Sequence, residues 1–308
     1  MSLKLTILGC HSATPRVNAH PASQFLEIKN HHFLIDCGEG TQIQLRKYRI
    51  KFSKIKHIFI SHLHGDHYFG LVGLISTFRL LNRENELHIY APKGLKEIVT
   101  LQMKISNSWT NYPLIFHELT ATTRELIFED ENVEIHTIPL DHRIYTNGFL
   151  FKEKLGERKL NMAAVSRYPD IKICDYQNLK IGRDFILENG EVIKNDMLTL
   201  NPNPPLSYAY CSDTAYSEAI VPFIKNVNCL YHETTFLKDR ESLAESTKHS
   251  TASQAASIAN QAEVDQLIIG HFSSRYKNKA GFKTEAQEHF KNTLLAEEGK
   301  LFEINGPI

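Results

Sequence analysis

Ser61-His62-Leu63-His64-Gly65-Asp66-His67 follows an apolar stretch and places four metal-binding side chains within six residues. In an extended segment, residues two apart point the same way, so the first two histidines can share one cation. The glycine permits a sharp turn, after which the aspartate and the last histidine can face a second cation. Imidazole nitrogen and carboxylate oxygen without thiolate suit Zn²⁺ in a catalytic rather than a structural role.

Four further apolar strands are predicted to end in the same kinds of side chain. They are Val133–Leu140 before Asp141 and His142, Leu206–Ser212 before Asp213, Leu230–Tyr231 before His232 and Glu233, and Leu267–Gly270 before His271. The loops at the carboxyl ends of strands converge in layered α/β folds, so these side chains are expected to meet. An aspartate from one of the later strands can bridge two ions, as two-metal hydrolysis requires.

Short apolar strands alternate with helices in both halves of the chain, which predicts an α/β layered fold. The first half offers strands at Leu3–Leu8, Gln24–Ile28, His32–Asp36, Lys56–Ser61 and Leu87–Tyr90, with helices at Thr41–Ile50 and Leu71–Leu81. The second half offers strands at Leu206–Cys211, Cys229–His232, Gln266–Ile269 and Leu301–Ile304, with a helix at Gln254–Gln261. Residues from about 149 to 200 are polar and interrupted by glycine and proline. We therefore expect one domain over residues 1–308 that carries an inserted arm.

Composition narrows the class of protein. No apolar run reaches the roughly 18 residues of a membrane span. Apolar and polar residues alternate in the first segment of the chain, which does not fit the continuous apolar stretch of a signal peptide. Five scattered cysteines without a C-x-x-C pair fit reduced thiols in a cytoplasmic protein without a membrane partner. The net charge is zero, but two acid-free basic stretches, Gln42–His57 and Arg275–Lys283, each offer a local surface for phosphates.

These motifs resemble those of a known family. The run Ser61–His67 resembles the metal motif of the metallo-β-lactamase superfamily, and further segments resemble ribonuclease Z, the short form of tRNA 3′-processing endoribonuclease. The segments that carry the resemblance are Leu34–Gln42, Ser61–His67, His232–Phe236, His249–Thr251 and Gly270–Tyr276. The likeness spans nearly the whole chain and implies an αββα sandwich with an inserted arm.

The resemblance also implies a site with two Zn²⁺ ions per subunit, for which Mn²⁺ is an alternative. One ion would be held by His62, His64 and His142 and the other by Asp66, His67 and His271, with Asp213 bridging. Asp36 and His232 would orient ligands through hydrogen bonds. Asp66 would accept a proton in catalysis.

The implied activity is zinc-dependent removal of the 3′ trailer from precursor tRNA, which leaves a 3′-hydroxyl on the tRNA and a 5′-phosphate on the trailer. His249 is the predicted proton donor to the leaving oxygen, with Glu233 as its orienting partner or as the alternate donor. The implied assembly is a homodimer in which the arm of one subunit binds tRNA. The arm departs from the bacterial family's pattern, because Tyr168–Gln177 contains no Gly-Pro turn.

Basic and polar side chains of three regions are the predicted substrate contacts. They are Arg16, Asn18, Arg46, Lys152, Lys154, Arg158, Lys159 and Arg275.

Two other functions stay open on sequence grounds. The metal motif also fits a hydrolase of the same fold that acts on small substrates, such as a cyclic-nucleotide phosphodiesterase, a lactonase or a thioesterase. A non-catalytic RNA-binding protein is the more remote alternative. Metal content and turnover of a generic aryl phosphodiester distinguish an enzyme from a binding protein.

Overall fold

The computed structural model describes residues 3–306, which divide into two compact units. The first unit contains the chain up to Lys152 and again from Leu206, and the second is Glu153–Pro205. Among the described residues, no helix is both long and apolar enough to cross a membrane.

One layer of the first unit is a seven-stranded sheet. Six of its strands come from the first half of the chain, and the C-terminal strand Leu301–Ile304 pairs with the first strand at one edge. Its strands are β1 (Leu3–Gly9), β2 (Ser23–Ile28), β3 (His31–Ile35), β4 (His57–Phe59), β5 (Leu87–Pro92), β6 (Leu114–Leu119) and β18 (Leu301–Ile304), in the order β18-β1-β2-β3-β4-β5-β6. Strands β3 to β6 run parallel, so their carboxyl ends share one edge of the sheet.

A second seven-stranded sheet forms another layer. Its strands are β7 (Leu126–Glu129), β8 (Val133–Pro139), β9 (Asn147–Glu153), β14 (Ser207–Cys211), β15 (Cys229–Glu233), β16 (Gln266–Gly270) and β17 (Thr293–Leu295), in the order β17-β16-β15-β14-β9-β8-β7. Strands β14 to β17 are parallel, so the predicted ligands that end or follow β14, β15 and β16 leave the same edge.

Helices of the first unit accompany both sheets. They are α1 (Thr41–Lys47), α2 (Gly65–Tyr68), α3 (Leu71–Leu80), α4 (Leu95–Ile105), α8 (Glu241–Thr247), α9 (Ala252–Gln261) and α10 (Ala280–Gln287), with 3₁₀ turns at Phe52–Lys54, Glu218–Phe223 and Lys238–Arg240. The start of α9 is fixed by the Thr251 side chain, which accepts a hydrogen bond from the Gln254 amide, while the Gln254 side chain returns to the Thr251 amide.

Two apolar cores hold these layers together. Aromatic rings interlock between the sheets, where Phe33 lies 5.5 Å from Phe151 and Phe59 lies 5.4 Å from Phe149 between ring centroids. The same core extends to the small side chains of α9 and to α10. A second core packs α1, α3 and α4 against the other face of the first sheet. The predicted αββα arrangement is confirmed.

The second unit has a small core of its own. Its elements are β10 (Lys159–Leu160), α5 (Met162–Val165), a 3₁₀ turn at Ile173–Asp175, α6 (Tyr176–Lys180), β11 (Phe185–Ile186), β12 (Val192–Ile193), α7 (Asn195–Leu198) and β13 (Thr199–Leu200). The side chains of that core are Val165, Ile171, Leu179, Ile193 and Leu198. The unit overlaps the range expected for the inserted arm. The first residues of that range, Phe149 to Lys152, lie instead in β9, because Phe149 and Phe151 are buried between the sheets.

Candidate metal centre

The carboxyl ends of both sheets deliver acidic and imidazole side chains to one place. The segment after β4 brings His62 and His64, and α2 begins at Gly65, so that Asp66 and His67 lie in the first turn of that short helix. Backbone strain marks the same edge. Asp36 after β3 and His271 after β16 have positive φ angles of 54° and 63°, which non-glycine residues rarely adopt.

The first donor group consists of His62, His64, His142 and Asp213. His62 Nε2 lies 3.0 Å from His64 Nδ1, and His142 Nε2 lies 3.2 Å from the same His64 atom. Asp213 Oδ2 completes the group at 3.6 Å from His62 Nε2. Three imidazoles and one carboxylate therefore converge on a single point.

The second donor group consists of Asp66, His67, Asp213 and His271. His67 Nε2 lies 3.4 Å from both Asp66 Oδ2 and Asp213 Oδ1. His271 Nε2 lies 3.3 Å from Asp66 Oδ2 and 3.2 Å from Asp213 Oδ1. Asp213 thus turns one carboxylate oxygen to each group, which is the orientation of a bridging ligand.

The donor atoms fit a divalent cation. Tetrahedral zinc with bonds of 2.0–2.1 Å separates its ligand atoms by about 3.3 Å. The donor pairs quoted above lie 3.0–3.6 Å apart, which is close to that spacing. His67 Nε2 and Asp213 Oδ1 are buried without a hydrogen-bond partner among residues 3–306. Buried polar atoms are almost always paired, so two unpaired atoms facing each other at 3.4 Å indicate a site that suits a cation.

In four of the five donor histidines the Nδ1 atom is engaged, which fixes the ring with Nε2 toward the donor groups. The bonds join His62 Nδ1 to Ser61 Oγ (3.0 Å), His67 Nδ1 to Asp36 Oδ2 (2.7 Å), His142 Nδ1 to the Lys248 carbonyl (2.8 Å) and His271 Nδ1 to Thr235 Oγ1 (2.8 Å). His64 differs, because its Nδ1 faces the donor group.

The Asp36 carboxylate supports the second donor group through hydrogen bonds. This fully buried carboxylate accepts hydrogen bonds from His67 Nδ1, from the Ser61 amide (2.7 Å) and hydroxyl (2.9 Å), and from the Tyr210 hydroxyl (2.6 Å). The predicted orienting contact of Asp36 is therefore present in the geometry.

The Glu233 carboxylate accepts hydrogen bonds that position His249 and, through Thr235, His271. Oε1 accepts from His249 Nδ1 (2.8 Å) and from the amides of Thr214 and Ser250, and Oε2 accepts from the amide and hydroxyl of Thr235. The Thr235 hydroxyl in turn accepts from His271 Nδ1. Glu233, His249 and His271 form a third close group, but these donors already fill the Glu233 carboxylate, so it has no room for an ion.

Charge and burial set the protonation of the site. Burial holds the pKa of His62 well below its usual value, which favours the neutral imidazole that binds metals. Burial raises the pKa of Asp213, but the charges of His271 and His67 outweigh it and hold the pKa well below its usual range. Burial also lowers the pKa of His249, but the nearby Glu233 carboxylate outweighs it and raises the pKa to about 9. A raised pKa favours the protonated form of His249 at neutral pH.

A cleft of about 930 Å³ opens onto both donor groups. Arg16 and Arg275, two of the predicted substrate contacts, line it together with Asp66 and His249. Asn18 and Arg46 do not line it, and the Arg46 guanidinium lies over the Phe52 ring instead.

The remaining predicted contacts do not belong to the donor groups. Lys152, in β9, pairs with Glu134 at 3.2 Å. Within the second unit, the Arg158 guanidinium bonds to Thr199, Asn201 and Asp196, and Lys159 bonds to Asn203. Lys154 is half-buried in the same unit.

His232 is not brought to the ligands. Its Nδ1 lies 2.8 Å from the Glu233 carbonyl, and its Nε2 has no hydrogen-bond partner among the described residues. Successive residues of a strand point to opposite faces of the sheet, so Glu233 faces the site and His232 does not.

Three residues of the site were not predicted from the sequence. Ser61 and Thr235 each link a carboxylate to a ligand histidine, and Arg143 lines the cleft directly after His142. Thr235 stands two residues after Glu233 in an extended segment, so its alternation with the glutamate was a usable signal.

Comparisons with known proteins agree with this geometry. The model of the family described as "Anti-Pycsar protein Apyc1" matches residues 3–165. A protein of Bacteroides fragilis named Ribonuclease Z is 46% identical over 295 residues, which cover 96% of this chain and 97% of the relative. The crystal structure of the short form of human tRNase Z superposes with a TM-score of 0.71 at 25% identity and covers 99% of this chain and 100% of that one.

A further solved structure is similar to this chain in fold alone. The metallo-β-lactamase-fold protein YhfI of Bacillus subtilis superposes with a TM-score of 0.68 at 17% identity and covers 98% of this chain and 99% of that one. The architecture is therefore that of the metallo-β-lactamase fold, and its histidine–aspartate clusters form a site for divalent metal.

Proposed function

The chain belongs to the ribonuclease Z family and, through residues 3–165, to the family described as anti-Pycsar protein Apyc1, and on this premise we propose that it removes the 3′ trailer from precursor tRNA. It is an enzyme that hydrolyses phosphodiester bonds, an endoribonuclease of tRNA 3′ processing. The observation that carries the proposal is the pair of donor groups that share Asp213 at the floor of one cleft.

We assign one Zn²⁺ to each donor group, two per subunit, with Mn²⁺ as the alternative occupant. His62, His64 and His142 would hold one ion, Asp66, His67 and His271 the other, and Asp213 both. When bound, the two ions supply the Lewis acidity that lowers the pKa of water and neutralises charge on the phosphoryl oxygens.

Asp66 is the proposed proton acceptor for the attacking water. Its carboxylate lines the cleft, and its Oδ2 faces both His67 and His271. A water that enters the cleft to reach the donor groups would therefore pass close to this carboxylate. A positioned carboxylate that accepts a proton in the transition state accelerates such reactions by 10²- to 10⁴-fold.

His249 is the proposed donor of the proton that the leaving 3′ oxygen of the tRNA needs. Its ring lines the cleft and stacks on His271, with ring centroids 5.6 Å apart. Glu233 holds the opposite side of that ring and is saturated by five donors, so it orients His249 and does not itself deliver the proton. For this reason we favour His249 over Glu233 as the proton donor.

The proposal extends to products, substrate recognition and assembly. Cleavage would leave a 3′-hydroxyl on the tRNA and a 5′-phosphate on the trailer. Folded RNA is recognised mainly through phosphates and shape. Arg16 and Arg275 would contact the strand in the cleft, and Lys154, Arg158 and Lys159 of the second unit would contact the tRNA body. We further propose that the protein acts as a homodimer in the cytoplasm.

The decisive experiment is end mapping on a 3′-extended precursor tRNA incubated with the purified protein. We expect cleavage 3′ to the discriminator nucleotide, and we expect D66A or a chelator to abolish it. D265A, a change at an aspartate outside the cleft, is the matched control and should cleave normally.

Other outcomes would reject the proposal in different ways. An intact tRNA beside rapid hydrolysis of an aryl phosphodiester would favour the small-substrate hydrolase. An inert protein that still binds the precursor would favour the non-catalytic RNA-binding protein.

A further inference from the structure

Arg143 lines the cleft that opens onto the donor groups. It follows the donor His142 directly in the chain, and its exposed side chain lines the same cleft as Asp66 and His249. The bond from His142 Nδ1 to the Lys248 carbonyl, 2.8 Å long, anchors the backbone from which Arg143 projects. The guanidinium is therefore tethered one residue away from a donor group.

The positive charge of Arg143 is not neutralised by the protein. The neighbouring Asp141 pairs with Lys248 at 2.8 Å, and Glu233 is filled by its five donors. Across residues 3–306, the Arg143 side chain has neither a hydrogen bond nor an ion pair. A free guanidinium beside a carboxylate-rich site is available for an anionic ligand.

Arg143 shares the cleft with residues of the donor groups and with the proposed proton donor. His64 and Asp66 belong to the donor groups, His249 is the proposed proton donor, and all three line the cleft together with Arg143. An anion bound by Arg143 in this cleft would therefore meet the donor groups and His249 together, as the scissile phosphate must.

We propose that Arg143 is a further catalytic residue, whose guanidinium donates hydrogen bonds to a non-bridging oxygen of the scissile phosphate. This role rests on the proposed phosphodiester hydrolysis. The planar fork of a guanidinium matches two phosphate oxygens, which a lysine ammonium cannot do. Its charge would offset the negative charge that grows on those oxygens during attack, without needing to reorganise at that moment.

The test measures kcat and KM of R143A and R143K on two substrates, the 3′-extended precursor tRNA and bis(p-nitrophenyl) phosphate. Metal content is measured for every variant. The matched control is R79A, which removes an exposed arginine of α3 that does not line the cleft. Loss of one preorganised donor to a developing oxyanion lowers kcat on the order of 10²- to 10³-fold.

We expect R143A to lose this factor in kcat on both substrates with its metal content intact, and R143K to recover only part of it. A rise in KM for the tRNA alone would overturn the assignment, because Arg143 would then contact RNA away from the scissile bond. Unchanged kinetics, or loss of metal from R143A, would overturn it as well. If the wild type spares the tRNA but hydrolyses the aryl diester, the proposed function fails, and the aryl diester alone decides the role of Arg143.

Discussion

Replacement of Asp36 by asparagine should weaken metal binding without touching a donor atom. The carboxylate accepts four hydrogen bonds, one at Oδ1 from the Ser61 amide and three at Oδ2 from Ser61 Oγ, His67 and Tyr210. An asparagine must turn its NH₂ toward one of these two sets. With the NH₂ at the Oδ1 position it keeps the bond from His67 but loses the bond from the Ser61 amide and the negative charge behind the ring.

The expected cost follows from that loss of charge. Removal of a partner behind a ligand histidine lowers metal affinity or activity by roughly 10- to 100-fold, which is about 1.4–2.7 kcal/mol. The weakened ion should be the one assigned to Asp66, His67 and His271. Competition with a chromophoric chelator, together with metal counting and kcat on an aryl phosphodiester, measures the change.

D130N is the matched control for D36N. Asp130 also lies 2.7 Å from a histidine nitrogen, Nε2 of His31, but that histidine belongs to no donor group. D130N should therefore keep its metal affinity. If D36N binds both ions as tightly as the wild type, the reasoning that Asp36 holds His67 in its binding orientation is refuted.

Three further outcomes are expected. His57 is half-buried against His88 and other rings, and this loss of solvent lowers its pKa to about 3 from 6.5. The unfolded chain therefore binds one more proton between those values, and stability falls by about 1.4 kcal/mol per pH unit as the pH falls below about 6.5. H57F should therefore lose up to about 2 kcal/mol less than the wild type between pH 7 and pH 5 in urea unfolding, and equal losses would contradict this. A Cβ on Gly270 would lie 2.2 Å from the hydroxyl of the buried Tyr231, so G270A should destabilise the fold by about 1–3 kcal/mol, whereas G156A, with no atom within 4 Å of its Cβ, should not; similar unfolding midpoints would count against the packing argument. Treatment with a chelator should abolish hydrolysis and lower the thermal midpoint by several degrees, and added Zn²⁺ should restore both; hydrolysis that persists without metal would reject the metal-dependent reaction.

The layered fold was predictable from the sequence because its buried strands are short apolar runs. Two of the strands that the pattern missed lie where burial is partial. Leu114–Leu119 is mostly half-buried and Leu126–Glu129 lies at the edge of its sheet, so neither shows a strong apolar signal. Asn147–Glu153 was read in part as arm, because polar residues follow it without a break.

The donor residues were predictable because each one ends or follows a strand. Their grouping in space was not, because it depends on long-range packing. The sequence cannot show which oxygen of Asp213 faces which histidines, since β14 reaches both groups only after two sheets have packed. Nor can it show that Glu233 is saturated by five donors, three of which are backbone amides.

Two divalent ions are proposed to share Asp213. A crystal of the zinc-loaded protein, measured on both sides of the zinc absorption edge, tests this arrangement most directly. We expect two anomalous peaks that flank the Asp213 carboxylate, one among His62, His64 and His142 and the other among Asp66, His67 and His271. A single peak, or a peak held by Glu233 and His249, would contradict it.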